Sequence, residues 1–577
     1  MRKLLLVMLA ALSSAGPADA ACQIGKLLEL KVTMQGVKPL TEVGINGRTL
    51  PFIVDSGAFF STISPGVAAE LGLRLEQSPV KLMGIGGQAG STYLTHVKSL
   101  DLAGVPLQNI LFVVGGSEFG VAGVLGQNVL GLKDVEYDLE HGAVRLMKPT
   151  GCSANDNLAY WSGAAPVSEL AIDSLDDNRH TVGTVLINGV KVSATFDTGA
   201  GRTVLSLEAA RRAGITTKSP GVIRAGLGRG FGKSMVESWV VPLASVKIGD
   251  EEVKSIKVAM EDLGLNTDML IGADFFLSHR VYVANSLHKM YFTYDGGPVF
   301  NMNPIKVVDQ TGAAQTIAVA KEPEPTDAGG YSRRGAAETS RRDYQAALAD
   351  LNRAVSMDPN NGHYLMERAQ AELRTGDGKG ASADLDKAAQ VAPNDPEVRL
   401  ARAQFLFGHG RRADAQSDLD AVDAALSRQA DQRLTLAALL GEEQRFDRAI
   451  ANFDQWIAAH PDDSRQPVAL NGRCWARALA GRDLPLALKD CDASLRRMKS
   501  GTAFDSRGLV ELRLGQYDRA IADYDAALKL NPRTAWSLYG RGLAKRHKGD
   551  PSAQSDMDAA AAINPELTAR AKALGIS

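Results

Sequence analysis

Between about residue 23 and residue 300 the apolar residues come in short runs of Val, Ile and Leu. Glycines and turn pairs such as Asn46–Gly47 and Asn188–Gly189 separate the runs. Runs of this length bounded by turn signals predict β-strands joined by hairpins. Over 301–335 the pattern is lost, and "AVAKEPEPTDAGG" (residues 318–330) predicts a Pro/Gly linker. From about 336 to 577 the chain turns to Ala, Leu, Arg and Asp at helical spacing, which predicts a second, all-helical region. A chain of 577 residues exceeds one core and is expected to be multidomain.

Both regions repeat internally. In the β-rich half an offset of 142 superposes Asn46–Gly47 on Asn188–Gly189, and Asp55-Ser56-Gly57-Ala58 on Asp197-Thr198-Gly199-Ala200. It also superposes Ser64 on Ser206, Gly72 on Gly214, Gly84 on Gly226 and Gly86 on Gly228. Four residues inserted in the second copy raise the offset to 146, which places "VLGQNVL" (124–130) on "LIGADFF" (270–276). The expected units are lobe 1 over 21–150 and lobe 2 over 151–300. In the helical half, prolines at 359, 393, 461, 532 and 565 are separated by 34, 68, 71 and 33 residues, multiples of a period near 34. "GQYDRAIADYDAALKLNP" (515–532), with Gly515, Tyr517, Ala520, Tyr524, Ala527 and Pro532, resembles a tetratricopeptide repeat. That resemblance implies six or seven stacked helix pairs over 336–577, with a concave surface that takes up a peptide or a protein partner.

Each copy of the β-rich half brings a strand, "LPFIVDSGA" or "VSATFDTGA", to an acidic residue followed by a hydroxyl and a glycine. The glycine lets the chain turn sharply beneath the carboxylate. Ser64 and Ser206 then offer N-caps to short helices that stop at Gly72 and Gly214. Far downstream, an apolar-apolar-glycine triplet recurs at 124–126 and 270–272.

These residues resemble the retropepsin-like aspartic peptidases, whose motifs are D-[ST]-G-A, a glycine-rich flap, and two aliphatic residues with glycine before a helix. The resemblance covers about 280 residues in two copies. It implies two all-β, barrel-like lobes, each contributing one catalytic aspartate, Asp55 and Asp197. Two carboxylates about 3 Å apart share one proton, and the pair activates a water against a peptide carbonyl. By position, Ser56 and Thr198 are expected to hydrogen-bond across the lobe interface. Gly57 and Gly199 are expected to let backbone N–H groups reach the carboxylates. The flaps implied are "GIGGQAGS" (84–91), with Gly84, Ile85, Gly86 and Gly87, and "GLGRGFGK" (226–233), with Gly226, Leu227 and Gly228. The copies differ: Phe59–Phe60 stands where the second has Gly201–Arg202, and Asp138 where it has Ala284. An asymmetric groove for a protein or peptide substrate is the consequence. The alternative is a non-catalytic scaffold that keeps the fold for binding, against which both acid triplets are intact.

The remaining composition narrows the setting. A formal net charge of −2 and the lack of any run of five like charges argue against nucleic acid as a partner. Residues 1–20 combine Arg2 and Lys3, an apolar run from Leu4 to Leu12, and Ala18-Asp19-Ala20, the plan of a cleaved signal peptide. Nine apolar residues are too few to span a bilayer core of about 30 Å, so no stable membrane span is expected. Cys22 raises a lipoprotein reading, but Asp19 occupies a position where a lipobox has an apolar residue. Export to a bacterial periplasm is expected, with secretion as the alternative. Four cysteines without a CxxC, and nine histidines without an HExxH, predict disulfides and neither a metal nor a cofactor. Cys474 and Cys491 fall 17 residues apart on two antiparallel helices and are expected to pair. Cys22 and Cys152 would tie together the ends of lobe 1.

Overall fold

The computed structural model describes residues 22–79, 81–88, 90–116, 120–163, 165–173, 180–228, 230–232, 234–301, 307–308 and 324–577. The expected export signal and much of the expected linker lie outside the described residues. So do Ala89, Arg229 and Lys233 of the two expected flaps.

The N-terminal region is all-β with two barrels, built by the same operations in each copy. In lobe 1, Lys38–Ile45 and Arg48–Val54 form a hairpin across Asn46–Gly47. Val182–Ile187 and Val190–Phe196 form its counterpart across Asn188–Gly189. All four turn residues have positive φ, which Asn and Gly tolerate best. Gly123–Leu125 then enters beside Arg48–Val54 in parallel, pairing Val124 with Ile53. In lobe 2, Met269–Ile271 enters beside Val190–Phe196, pairing Leu270 with Thr195. The triplet strand is therefore central in each lobe, flanked on its other side by Thr62–Ile63 or Val204–Ser206. Ser64 and Ser206 do cap the short helices Pro65–Glu70 and Leu207–Arg212, each hydroxyl accepting from a backbone N–H three residues on.

The lobes join through one sheet. Asp134–Asp138 of lobe 1 pairs antiparallel with His279–Ala284 of lobe 2, Glu136 opposite Tyr282. Every residue of both strands is buried. Glu136, fully buried, accepts from Arg145 (2.6 Å), from Arg280 across the interface (3.0 Å) and from Tyr160 (2.6 Å). Three donors on one buried carboxylate offset the desolvation that an isolated charge would suffer.

Beyond Glu324 the chain is a run of helices that pack as seven antiparallel pairs from Ala328–Arg341 with Tyr344–Met357 to Ala535–His547 with Ala553–Ile563, followed by Leu567–Ala573. The first helix thus begins at Ala328, within the stretch expected to be linker. Tyr524 shows why the repeat alternates aromatic and small residues: its ring lies against Gly508, and a Cβ at Gly540 would overlap it. A second periodicity links neighbouring units. Arg368, Arg402, Arg473, Arg507 and Arg541 each grip an aspartate of the following helix with both arms of the guanidinium (Asp384, Asp418, Asp490, Asp523 and Asp556). Arg402, Arg473, Arg507 and Arg541 also reach back to an aspartate of the preceding pair. Cys22 and Cys152 lie at disulfide distance (S–S 2.10 Å), as do Cys474 and Cys491 (2.07 Å). Among the described residues no helix is long and apolar enough to cross a membrane.

Candidate active site

The triplet strands decide where the two aspartates sit. Asp55 N donates to Leu125 O at 3.0 Å, and Asp197 N donates to Ile271 O at 2.8 Å. Each acid therefore stands where its own strand ends beside the apolar-apolar-glycine strand. The chain then turns, and the Gly57 and Gly199 N–H groups donate back to the carboxylates of Asp55 and Asp197 (2.8 and 2.9 Å). Each glycine also faces the other lobe. A Cβ on Gly57 would overlap the Asp197 carboxyl group, and one on Gly199 would overlap that of Asp55.

Ser56 and Thr198 form a reciprocal latch between the lobes. Thr198 Oγ1 accepts from Ser56 N (3.0 Å) and donates to Val54 O (2.7 Å). Ser56 Oγ accepts from Thr198 N (2.9 Å) and donates to Phe196 O (2.8 Å). A hydroxyl both donates and accepts, so each side chain completes two bonds that alanine could not make. The latch brings the acids together: a side-chain hydrogen bond joins Asp55 to Asp197. Burial, then the Asp197 charge, then that hydrogen bond push the Asp55 carboxyl well above the usual carboxylate range.

Above the pair lies a cavity of about 670 Å³, with Asp55, Gly57, Asp197 and Gly199 on its wall. The lobe 1 flap is a hairpin, Met83–Gly84 against Gly87–Gln88, and Gly84 and Ile85 line the cavity. Ile85 and Gly86 make its turn, and Gly86 and Gly87 have positive φ. In lobe 2 the expected residues Gly226, Leu227 and Gly228 lie on the strand leading to the tip, where Leu227 is exposed and Gly228 abuts Glu261. Gly230 and Phe231 of the tip itself reach the cavity. The two flaps meet, Gly232 N donating to Ile85 O (3.0 Å) and Ser234 N to Gly86 O (3.1 Å).

Residues outside the motifs complete the site. Ser61 and Thr203 are hydroxyls at the same 142 offset. Ser61 bonds Asn128 Oδ1 through both its N–H and Oγ (2.7 Å each), and Thr203 bonds the Asp274 carboxylate (3.0 and 2.7 Å). Each clamp closes the loop over its triplet, because Gly126 N donates to Ser61 Oγ and Gly272 N to Thr203 Oγ1. Their recurrence at one offset was the signal that could have found them. His180 lines the cavity with no motif to mark it, and burial holds its imidazole below its ordinary value, against the pull of Asp197. The walls differ as the two copies differ. Phe59 and Phe60 line lobe 1's side; on the other, Arg202 donates to the buried Glu261 at 2.7 Å.

The two clamps are unequal, which has a consequence for stability. Burial pushes the Asp274 carboxyl up to about 6, and the Thr203 hydrogen bonds offset this only in part. A raised folded-state value makes the native state hold a proton that the unfolded chain releases, so stability falls as pH rises from about 4 to about 6. Asp274→Asn copies the neutral clamp of lobe 1. Relative to the unaltered chain, the variant is expected to gain roughly 3 kcal/mol over that window and to stay level outside it, as read by urea unfolding at pH 4, 5, 6 and 7.

A family described as "gag-polyprotein putative aspartyl protease" matches residues 41–131 and 183–278. Tetratricopeptide repeat families match 333–405 and 508–549. The N-terminal half therefore carries an aspartyl-protease-like region in two copies, followed by tetratricopeptide repeats. Among solved structures, the chain is similar to one in the crystal structure of the APC/C hetero-tetramer Cut9–Hcn1 (16% identity, 44% of this chain and 49% of that one, TM-score 0.33). It is also similar to a tetratricopeptide repeat protein from Parabacteroides merdae (16%, 43% and 98%, TM-score 0.34). A third similarity is to the TPR domain of P58(IPK) (18%, 40% and 72%, TM-score 0.20). The chain spans about half the length of the Cut9–Hcn1 chain it matches. No curated protein matches it.

Proposed function

We propose that this chain is an exported aspartic endopeptidase, and that its tetratricopeptide repeats recruit a protein substrate or partner. The observation that carries the reading is the pairing of Asp55 with Asp197 at one cavity, one acid from each lobe of a single chain. Asp55 holds its proton beyond the ordinary carboxylate range and is placed to protonate or polarise the scissile carbonyl. Asp197 is left to take a proton from water as that water attacks. The tetrahedral intermediate collapses when the proton passes to the leaving nitrogen, and no covalent enzyme intermediate forms. In this reading the joined flaps limit the access of bulk solvent to the exchange, and the largely apolar cavity wall accepts extended peptide side chains.

Hydrolysis of casein and of fluorogenic peptides, followed from pH 3 to 8 with and without a statine-containing peptide, tests the reading. Cleavage is expected to be blocked by the statine peptide. It is also expected to fall as pH rises through the raised Asp55 value, because the pair then loses its shared proton. A pure chain that binds the statine peptide yet leaves every substrate intact at all pH values would instead be a peptide-binding scaffold.

A further inference from the structure

The helical array does more than follow the lobes in sequence; it is bonded to the parts of lobe 1 that frame the cavity. The helix Ala328–Arg341 lies along the strand Gln23–Gln35, with Ala336 and Ala337 in the lobe's own core. Arg341 pairs with Glu140 at 2.5 Å, and Ser340 Oγ donates to Gly36 O. Gln35 Nε2 donates to Glu397 Oε1 at 2.8 Å. These contacts hold the turn that carries Val37, which lines the cavity and packs on Gly201 of the lobe 2 catalytic loop.

Further along, the repeat becomes irregular, and there the array touches lobe 1 again. The period-34 arginine falls to Leu436 in the fourth pair, and the preceding segment 426–432 leaves the helical pattern. Ser427 donates to Glu70, Gln429 covers Gly66, and Asp431 approaches Gly120. In the next turn, between Phe446–Ala459 and Gln466–Ala480, Asp462 Oδ2 accepts from Ser91 N at 3.0 Å. The same carboxylate fills the space over Gly90, where a Cβ would collide with it. Arg465 fixes this turn by gripping both Asp431 and Asp463. Gly90 and Ser91 lie on the return leg of the lobe 1 flap, whose tip in turn binds the lobe 2 flap.

We propose that the tetratricopeptide array is a structural part of the cleft, with Asp462 a positioning residue that holds the lobe 1 flap in its closed arrangement. The flap's effect on turnover rests on the peptidase reading above; its effect on flap order does not.

Asp462→Ala and Asp462→Asn in the full chain test this. Amide hydrogen exchange of peptides covering 84–91, peptide hydrolysis and thermal unfolding are read together. Loss of one hydrogen bond to a carboxylate corresponds to about tenfold. Asp462→Ala is expected to speed exchange of 84–91 about tenfold and to lower kcat/KM by a similar factor, with the unfolding temperature unchanged. Asp462→Asn keeps an acceptor for Ser91 N and is expected to restore both. Unchanged exchange over 84–91 in Asp462→Ala would overturn the proposal. So would unchanged kcat/KM in an active enzyme, or equal loss in the alanine and asparagine variants. If the unaltered chain cleaves no peptide, the peptidase reading fails, and the exchange measurement alone still decides whether Asp462 orders the flap.

Discussion

Asp55→Asn and Asp197→Asn are each expected to reduce peptide hydrolysis roughly 10⁴-fold or to background, with the fold intact by circular dichroism. On the proposed mechanism either change removes the shared proton while altering shape very little, because asparagine keeps an acceptor for the Gly57 or Gly199 N–H. The two acids act as a unit, so the double variant is expected to be no slower than either single one. Both acids come from one chain, and the fully buried pairing of Asp134–Asp138 with His279–Ala284 keeps them together. Mixing the two inactive variants, even after dissociation and reassociation, is therefore expected to recover nothing. Recovered activity on mixing, or clear turnover by a pure single variant, would show that the site is assembled between chains.

Gly57→Ala and Gly199→Ala carry the second large effect. In each, the new methyl group would meet the carboxyl group of the opposite aspartate. The backbone has little room to yield, since the adjacent Ser56 and Thr198 are tied across the interface by four hydrogen bonds. The acids must then separate or the latch must open. A displacement of about 1 Å at reacting groups is worth on the order of 10²-fold in rate. Each variant is expected to lose at least that much in kcat/KM. Burial and the Asp197 charge are what raise Asp55, so separating the pair is also expected to move the alkaline limb of the pH profile to lower pH. A rate loss with an unmoved pH profile would mean that the methyl group perturbs substrate binding and not the acid pair.

Local chemistry made the two β lobes legible in the sequence. Strand runs, Asn–Gly turns, the Ser64 and Ser206 caps and the acid triplets are each read within a few residues. Duplication then allowed one copy to check the other at a fixed offset. The helix pairs were legible for the same reason, as a proline period and one complete signature at 515–532. The cysteine partners 474 and 491 followed from where two antiparallel helices face each other. Other features depend on approaches between segments far apart in the chain. The offset alone does not reveal that Thr198 Oγ1 reaches Val54 O, or that Gly57 has no Cβ because Asp197 stands there. The lobe 2 flap shows the limit clearly. Glycine spacing marked the stretch 226–233, but only the pairing of Ile223–Gly228 with Val236–Ile248 shows which of its residues, Gly230 and Phe231, line the cavity. Nor did helical periodicity show that the array would bond to the flap. A loop such as 460–465 has no periodic pattern, and the partner of Asp462 lies 371 residues away. The sequence by itself determined which elements form and which two acidic triplets recur, because those depend on neighbours along the chain. Only the tertiary structure decided that Asp55 and Asp197 meet at one cavity and what the flap touches, because burial and long-range hydrogen bonds arise when distant segments pack.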